Sequence, residues 1–373
     1  MDKRVAYSLA LLCGTTFAYS DTYAQCLALL IFPVTAALEF RGKCITLLLF
    51  YSSATIPIIG VISDYTGSPI YSPMPFIGLV ILNTGVVAFA MLQRKIPVAI
   101  SVPAALLMLS FPPLAYINPI TLLPLAGWLF PGFGLLGIAL LLLAIGTVYV
   151  IPHYKHAGYA CFLSLLIPIG VANAESQTAI RADEPHQTIA AISISRPYDE
   201  KLDTRMMRVA YRFEELDSIR NSNADISVLP ESIFGEWQKS DGDILSSARG
   251  TVFGGGRVHI DEYRHHNVIV NAKTGEAVYE QLNPPLIKTR NKSRAVPGRG
   301  AIRETGLTFL LCYELTNSWI VYKAYSSGDK PVIWVSNLSW SNTTYLNDRM
   351  NSLHRAWSRL YKKQQHSAVM SNA

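Results

Sequence analysis

The first 173 residues hold only seven Lys/Arg and four Asp/Glu, out of 32 and 26 in the whole 373-residue chain. These residues divide into apolar runs of near membrane-spanning length, and no other feature limits the possible folds so sharply. About 20 predominantly apolar residues are needed to cross a hydrocarbon core as a helix. Candidate spans run over 5–20, 22–38, 44–63, 75–92, 96–116, 134–151 and 157–173, which predicts an α-helical membrane bundle of about seven helices over residues 1–174. Lys3, Arg4, Arg41, Lys43, Arg94, Lys95 and Lys155 fall in alternate turns, whereas the loops 20–22, 64–74 and 117–133 carry no Lys or Arg. This asymmetry puts the N-terminus in the cytoplasm of a multi-pass membrane protein and, after an odd number of spans, the rest of the chain in the periplasm. The stretch Leu122 to Leu135 also has the form of a re-entrant segment. Lys155, the apolar run 157–171 and Ala172-Asn173-Ala174 fit an internal signal peptide as well as a last membrane helix, and the helix is the reading adopted.

The remainder has a different pattern. After a polar linker, 175–186, strands and helices alternate over 187–373, which predicts one layered α/β domain. Strands are expected at Thr188–Ser195, Asp225–Leu229, Leu307–Leu311 and Pro331–Ser336, and a hairpin at 266–271 and 277–281 around Lys273-Thr274-Gly275. Helices are expected at Lys201–Arg220 and Tyr345–Lys363. Gly254-Gly255-Gly256 reads as a turn after a strand, since no P-loop Lys or GxGxxG accompanies it. The net charge of +6 divides evenly, +3 in each half, and so says little about nucleic acid. His259, His265 and His266 match no familiar metal-ligand spacing, and no cofactor is expected.

Cys312 closes the apolar strand Leu307–Leu311 and is the sole cysteine of the polar half. In an oxidising compartment it has no partner there for a disulfide. An unpaired thiol at a strand end is either a small packed apolar group or a nucleophile. The loop Lys288 to Arg303 carries six cations; a solvated loop, contact with anionic lipid headgroups and contact with nucleic acid are the three readings, in that order. Trp237 and Trp319 stand close in sequence to Glu231 and Cys312 and are either core aromatics or the walls of an apolar pocket.

Three stretches in order now resemble the nitrilase (carbon–nitrogen hydrolase) superfamily, and within it the apolipoprotein N-acyltransferases. Asp225-Ile-Ser-Val-Leu-Pro-Glu231-Ser232 is similar to the strand that ends in Pro-Glu-Ser/Thr and carries the general base. Leu311-Cys312-Tyr313-Glu314 is similar to the stretch bearing the nucleophile, and Val335-Ser336-Asn337-Leu338-Ser339-Trp340 to the loop beside it. The layout of the whole chain looks like the TraB proteins of plasmid conjugal-transfer operons. The resemblance implies an α-β-β-α sandwich for the second domain. It also implies Glu231 as base, Cys312 as thioester-forming nucleophile, and Tyr313, Glu314, Asn337 and Trp340 around the substrate, which Trp237 joins as a candidate only through its closeness to Glu231 in sequence.

The same resemblance implies a phospholipid acyl donor, a lipoprotein or other amine as acceptor, and conjugal-transfer proteins as partners. The family's oxyanion-stabilising Lys, however, is replaced by Gln281, with Lys288 seven residues on as an alternative cation. Asn337 is followed by Leu338 where the family has Asp. A neutral amide donates a hydrogen bond but supplies no charge, so a membrane scaffold of impaired activity stands as the alternative function.

Overall fold

The computed structural model describes residues 2–20, 23–150, 187–195, 205–235, 237–285, 294–341 and 344–371. The expected last span, the signal-peptide-like segment, the linker 175–186 and Lys288 lie outside them. The described elements of the N-terminal half are all helical, among them α1 (Lys3–Tyr19), a 3-10 turn at Tyr23–Leu30, α2 (Ile31–Ala36), α3 (Phe40–Thr66), α4 (Pro73–Leu92), α5 (Val98–Ser110), α6 (Leu125–Leu129) and α7 (Gly134–Val150). Two helical stretches among the described residues, Phe40–Thr66 and Pro69–Leu92, are long and apolar enough to cross a membrane. Two expected spans differ in form. The run 22–38 is broken into a 3-10 turn and a short helix that takes Pro33 in its first turn, where a missing N–H costs nothing. The run 96–116 is helical only to Ser110, because Pro112 and Pro113 cannot continue it.

The second half is built on two sheets. The larger contains β1 (Ile189–Ala191), β3 (Ile226–Val228), β4 (Thr251–Asp261), β5 (Arg264–Asn271), β6 (Glu276–Glu280) and β8 (Gly300–Ala301) in the order β1-β3-β4-β5-β6-β8, with β7 (Arg294–Ala295) paired to β5. The smaller is parallel, in the order β2-β11-β10-β9, from β2 (Ile194–Ser195), β9 (Thr308–Leu311), β10 (Val332–Asn337) and β11 (His366–Ser371). The single strand expected at Thr188–Ser195 is therefore two, one in each sheet, and this segment ties the sheets together.

Residue alternation fixes the layers. Phe309 and Leu311 of β9 and Ile333 and Val335 of β10 face Val228, Phe253 and Ile269 of the other sheet, forming the core between them. The alternate residues Leu310 and Trp334 point the opposite way, against α10 (Ser318–Tyr325) and α11 (Thr344–Leu360). On the far side of the larger sheet, Leu216 of α8 (Arg205–Ser222) and Leu245 of α9 (Lys239–Leu245) cover Val252. Helices, sheet, sheet and helices follow in that order, as expected for the domain.

The outer helical layer of the small sheet continues without a break into the N-terminal half. Leu353, Ala356 and Trp357 of α11 share one core with Leu125, Ala126 and Trp128 of α6. The stretch Leu122 to Leu135 is thus largely a plug against the second domain. Polar cross-links accompany the apolar ones: Gln25 donates to Ser352 Oγ (2.9 Å), Arg359 to the Gly127 carbonyl (3.3 Å), and Gly132 N–H to the Arg359 carbonyl (2.8 Å).

Gly254-Gly255-Gly256 is not a turn. All three lie inside β4, because the segment carrying Glu231 crosses directly over them. A Cβ on Gly255 would stand 2.4 Å from Glu231 Cα and 2.8 Å from Ser232 N. Glycine in a strand interior here marks the close approach of another backbone.

Candidate active site

Three strands, one from the larger sheet and two from the smaller, end at one place. β3 leads through Leu229 and Pro230 to Glu231, β9 ends at Leu311 and hands over to Cys312, and β10 ends at Asn337. Ser232 and Cys312 both have left-handed backbones, φ 60° and 46°, a conformation that costs a non-glycine residue about 1–3 kcal/mol. The surroundings hold both turns in place. Gly255 N–H donates to the Pro230 carbonyl (3.1 Å) and Phe234 N–H to the Gly255 carbonyl (3.1 Å). Behind them the buried Arg212 donates to the Ile233 carbonyl (2.6 Å) and pairs with Glu215 (2.6 Å) and Asp241 (2.7 Å). Trp334 Nε1–H donates to the Cys312 carbonyl (3.3 Å).

The Glu231 carboxylate is buried and faces the half-buried Cys312 thiol across the seam between the sheets. Its Oε2 accepts the Asn337 N–H (3.2 Å) and its Oε1 the Asn267 amide (3.3 Å). Burial raises Glu231 to about 7, against smaller opposing effects of Cys312, the Asn337 N–H and the Arg257 charge. Burial, and then the Glu231 carboxylate, push the Cys312 thiol well above its usual range. A carboxyl group poised near neutrality beside a thiol is suited to accept and return a proton.

Gln281 is fully buried at the end of β6. Its Nε2 donates to the Leu311 carbonyl (3.0 Å), one residue before the thiol, and its Oε1 accepts from Asn267 (2.8 Å). Asn267 therefore bridges Gln281 and Glu231. Across the sheet Asn267 pairs in register with Arg257 of β4, and the side-chain Nε of Arg257 is buried without a hydrogen-bond partner. Arg257, which the sequence reading passed over, brings a positive charge to Glu231.

Glu314 is fully buried and all its acceptors are used. Oε2 accepts from Tyr279 Oη (2.9 Å) and Leu311 N–H (2.7 Å), while Oε1 accepts from the N–H groups of Leu282 and Asn283. It binds the β6 exit to the Cys312 turn and has no face toward a ligand. Asn337 is likewise occupied: its Oδ1 accepts from Ser339 N–H (3.1 Å) and Oγ (2.7 Å), and its carbonyl from Trp340 Nε1 (2.7 Å).

Tyr313 and Trp340 line a cavity of about 560 Å³ between the two halves of the chain. Tyr65, near the end of α3, lines it too; its ring lies 5.0 Å from Trp340, and its hydroxyl is within electrostatic reach of Cys312, Glu231 and Arg257. The N-terminal half thus contributes a side chain to the site. Trp237 does not reach it. That ring packs edge-on against Phe234 (4.8 Å) and under Gly275, on the outer helical side of the larger sheet, because the chain turns away from the seam after Glu231. Trp319 packs against Phe111 (5.2 Å) and beneath Lys323 (4.8 Å).

No protein-family model matches the chain, and no curated protein matches its sequence. Among solved structures it is similar to amidases from Nesterenkonia. A cysteine-to-alanine mutant of the Nesterenkonia AN1 amidase, from the nitrilase superfamily, aligns at 16% identity and a TM-score of 0.37 over 50% of this chain and 76% of that chain. The unsubstituted Nesterenkonia sp. amidase aligns at 16% identity and a TM-score of 0.34 over the same shares. A further mutant, bearing the Michael adduct of acrylamide at the active-site cysteine, gives 16% identity and 0.33 over 50% and 79%.

Proposed function

We propose that this chain is a membrane-bound, carbon–nitrogen-hydrolase-type acyltransferase that works through a thioester on Cys312. The observation that carries the reading is a buried Glu231, held near neutrality, facing a Cys312 on a left-handed turn whose neighbour Tyr313 opens onto an apolar cavity. Residues 1–174 form the membrane domain, 175–186 the linker and 187–373 the catalytic domain on the periplasmic side of the inner membrane. Ile81, Phe89, Met108, Leu135 and Leu136, all more than half exposed, give the helical half an outward apolar surface of the kind that lipid covers. Within that frame the chain resembles apolipoprotein N-acyltransferase in its motifs and the TraB-type proteins of conjugal transfer in its layout.

Glu231 takes the thiol proton, and the thiolate attacks the ester carbonyl of a phospholipid. The carbon–oxygen bond breaks, the lysophospholipid oxygen receives the proton from Glu231, and a thioester remains. An amine nitrogen, from a lipoprotein or another acceptor, then attacks the thioester. Its proton passes to Glu231, the carbon–sulfur bond breaks, and the proton returns to the thiolate as the amide leaves. Asn267 and Asn337 orient Glu231, Glu314 fixes the Cys312 turn, and Tyr313, Trp340 and Tyr65 border the donor.

In this scheme Arg257 supplies the cation that Gln281 lacks. Acylation of Cys312 is expected to fall as pH drops below about 7, because Glu231 becomes protonated and ceases to be a base. Arg257→Gln moves that acid limb to higher pH, since the charge that favours the carboxylate is gone, and Arg257→Lys restores most of it. A pH–rate profile that is the same in all three proteins removes Arg257 from the mechanism.

The direct test is the intact mass of the detergent-purified chain after incubation with phospholipid. Wild type is expected to gain one acyl mass that hydroxylamine removes, and Cys312→Ala to gain none. Absence of the adduct, together with a Cys312 that labels no faster than a model thiol, moves the assignment to a scaffold of the conjugal-transfer apparatus.

A further inference from the structure

The same cavity contains a cation that the thioester chemistry does not use. Arg349 of α11 lines its wall and is 8% exposed. One N–H goes to the Phe17 carbonyl (3.0 Å), and the guanidinium rests on the Phe17 ring, 4.3 Å from its centroid. Among the described residues no carboxylate faces it. The rest of the wall is apolar, with Ile58, Ile62, Leu79, Leu82, Ile120 and Leu353 among its members. An arginine stays charged in proteins, and a charge buried without a counter-ion opposes folding through its lost hydration. One carbonyl and one aromatic face offset only part of that cost. The guanidinium has further N–H donors in a planar fork that matches phosphate or carboxylate geometry, which a Lys would not.

We infer that the cavity is a binding site for an amphiphile, an apolar chain with an acidic phosphate or carboxylate group, and that Arg349 pairs the acid inside the apolar wall. A volume of about 560 Å³ lies within the ~300–1,000 Å³ usual for small-molecule sites. The inference deepens the functional reading by naming the group through which the acyl donor is recognised, and it rests on that reading only for the link to catalysis.

Binding is measured on the full chain in a neutral maltoside detergent, in a Cys312→Ser background so that no adduct forms. The readout is displacement of a fluorescent neutral alkyl probe by an alkyl phosphate, a fatty acid and an alkyl alcohol of equal chain length. With Arg349 intact, an acidic amphiphile is expected to displace the probe at concentrations about tenfold or more below the alcohol. A preference for phosphate points to a lipid headgroup and a preference for carboxylate to a fatty acid; either upholds the site. Arg349→Gln erases the preference while keeping the alcohol's affinity, and Arg349→Lys retains part of it. Equal potency of acid and alcohol with Arg349 present, or an unchanged preference in Arg349→Gln, overturns the inference. Should Arg349→Gln fail to fold, Leu79→Trp decides: it fills the cavity and abolishes displacement by all three, and undiminished acid binding overturns the assignment. Preferential binding without a thioester in the mass assay sinks the acyl-transfer reading alone, and a thioester without acid preference sinks this site alone.

Discussion

Glu231→Gln is expected to slow acylation of Cys312 by about 10²–10⁴-fold and, in the same protein, to stabilise the fold at pH 8. The rate effect follows from loss of the base. The stability effect has a definite sign. Burial raises the folded-state value of Glu231 from 4.5 to about 7, so between those values the folded protein holds a proton that the unfolded chain has released. Stability therefore falls as pH rises through that window, and the deficit is complete above about 7. At about 1.4 kcal/mol per pKa unit the deficit approaches ~3 kcal/mol. Gln abolishes it but turns an amide N–H₂ toward a donor; the weak contact from Asn267 (3.3 Å) is the one to give way, since that amide already has Gln281 at 2.8 Å. A net gain of about 1–2 kcal/mol at pH 8, reversing to a loss of about 1–2 kcal/mol by pH 4 where only the lost contact remains, is the expected result of thermal or denaturant unfolding. A variant less stable than wild type at pH 8 would mean that the site favours the carboxylate, contrary to the burial argument. Opposite signs for activity and stability are what a strained, functional carboxylate produces.

The residues that this argument uses were legible in the sequence to different degrees. Cys312 was readable because it stands where an apolar strand stops, whereas Glu231 and Asn337 were picked out by resemblance to family stretches, and the structure puts both of them at strand exits too. Gln281 was readable only by comparison with a family motif. Arg257 was not: it matters because β4 and β5 pair in a register that sets it against Asn267, and a lone cation in a strand carries no local signal. Three glycines in succession were read as a turn, although the surrounding β pattern already suggested a place where another backbone comes close. The strand β11 escaped notice because six residues beginning with His and Ser show little alternation, and pairing between β10 and β2 defines it. Tyr65 and Arg349 belong to the site through contacts between the halves. Tyr65 meets Trp340 only after the whole intervening chain has folded, and Arg349 looks like an ordinary polar position on an amphipathic helix until its burial is known.

Those contacts between the halves make Gly127→Ala the second large effect. A Cβ on Gly127 would fall 1.7 Å from the Ala356 carbonyl oxygen and 2.5 Å from its carbon. Both partners are backbone, so no side chain can swing aside, and α6 must lift from α11. Overpacking ordinarily costs about 1–3 kcal/mol; with Leu125, Ala126 and Trp128 all buried in the same contact, the loss here is expected at or above the upper end. Gly60→Ala is the matched control, since nothing lies within 4 Å of its Cβ and alanine favours a helix by up to ~1 kcal/mol. The damage also has a direction. α11 carries Arg349, Met350 and Leu353 on the cavity wall, whereas Glu231, Cys312 and Asn337 are held by the sheets. Gly127→Ala is therefore expected to weaken amphiphile binding strongly while a small thiol reagent still finds Cys312 at close to the wild-type rate. Equal loss of both would mean that the sheets cannot hold the Cys312 turn without the helical half; loss of neither would mean that α6 and α11 do not approach closely in solution. The expected split makes the helical half a wall of the binding site, beyond any role in holding the chain in a membrane.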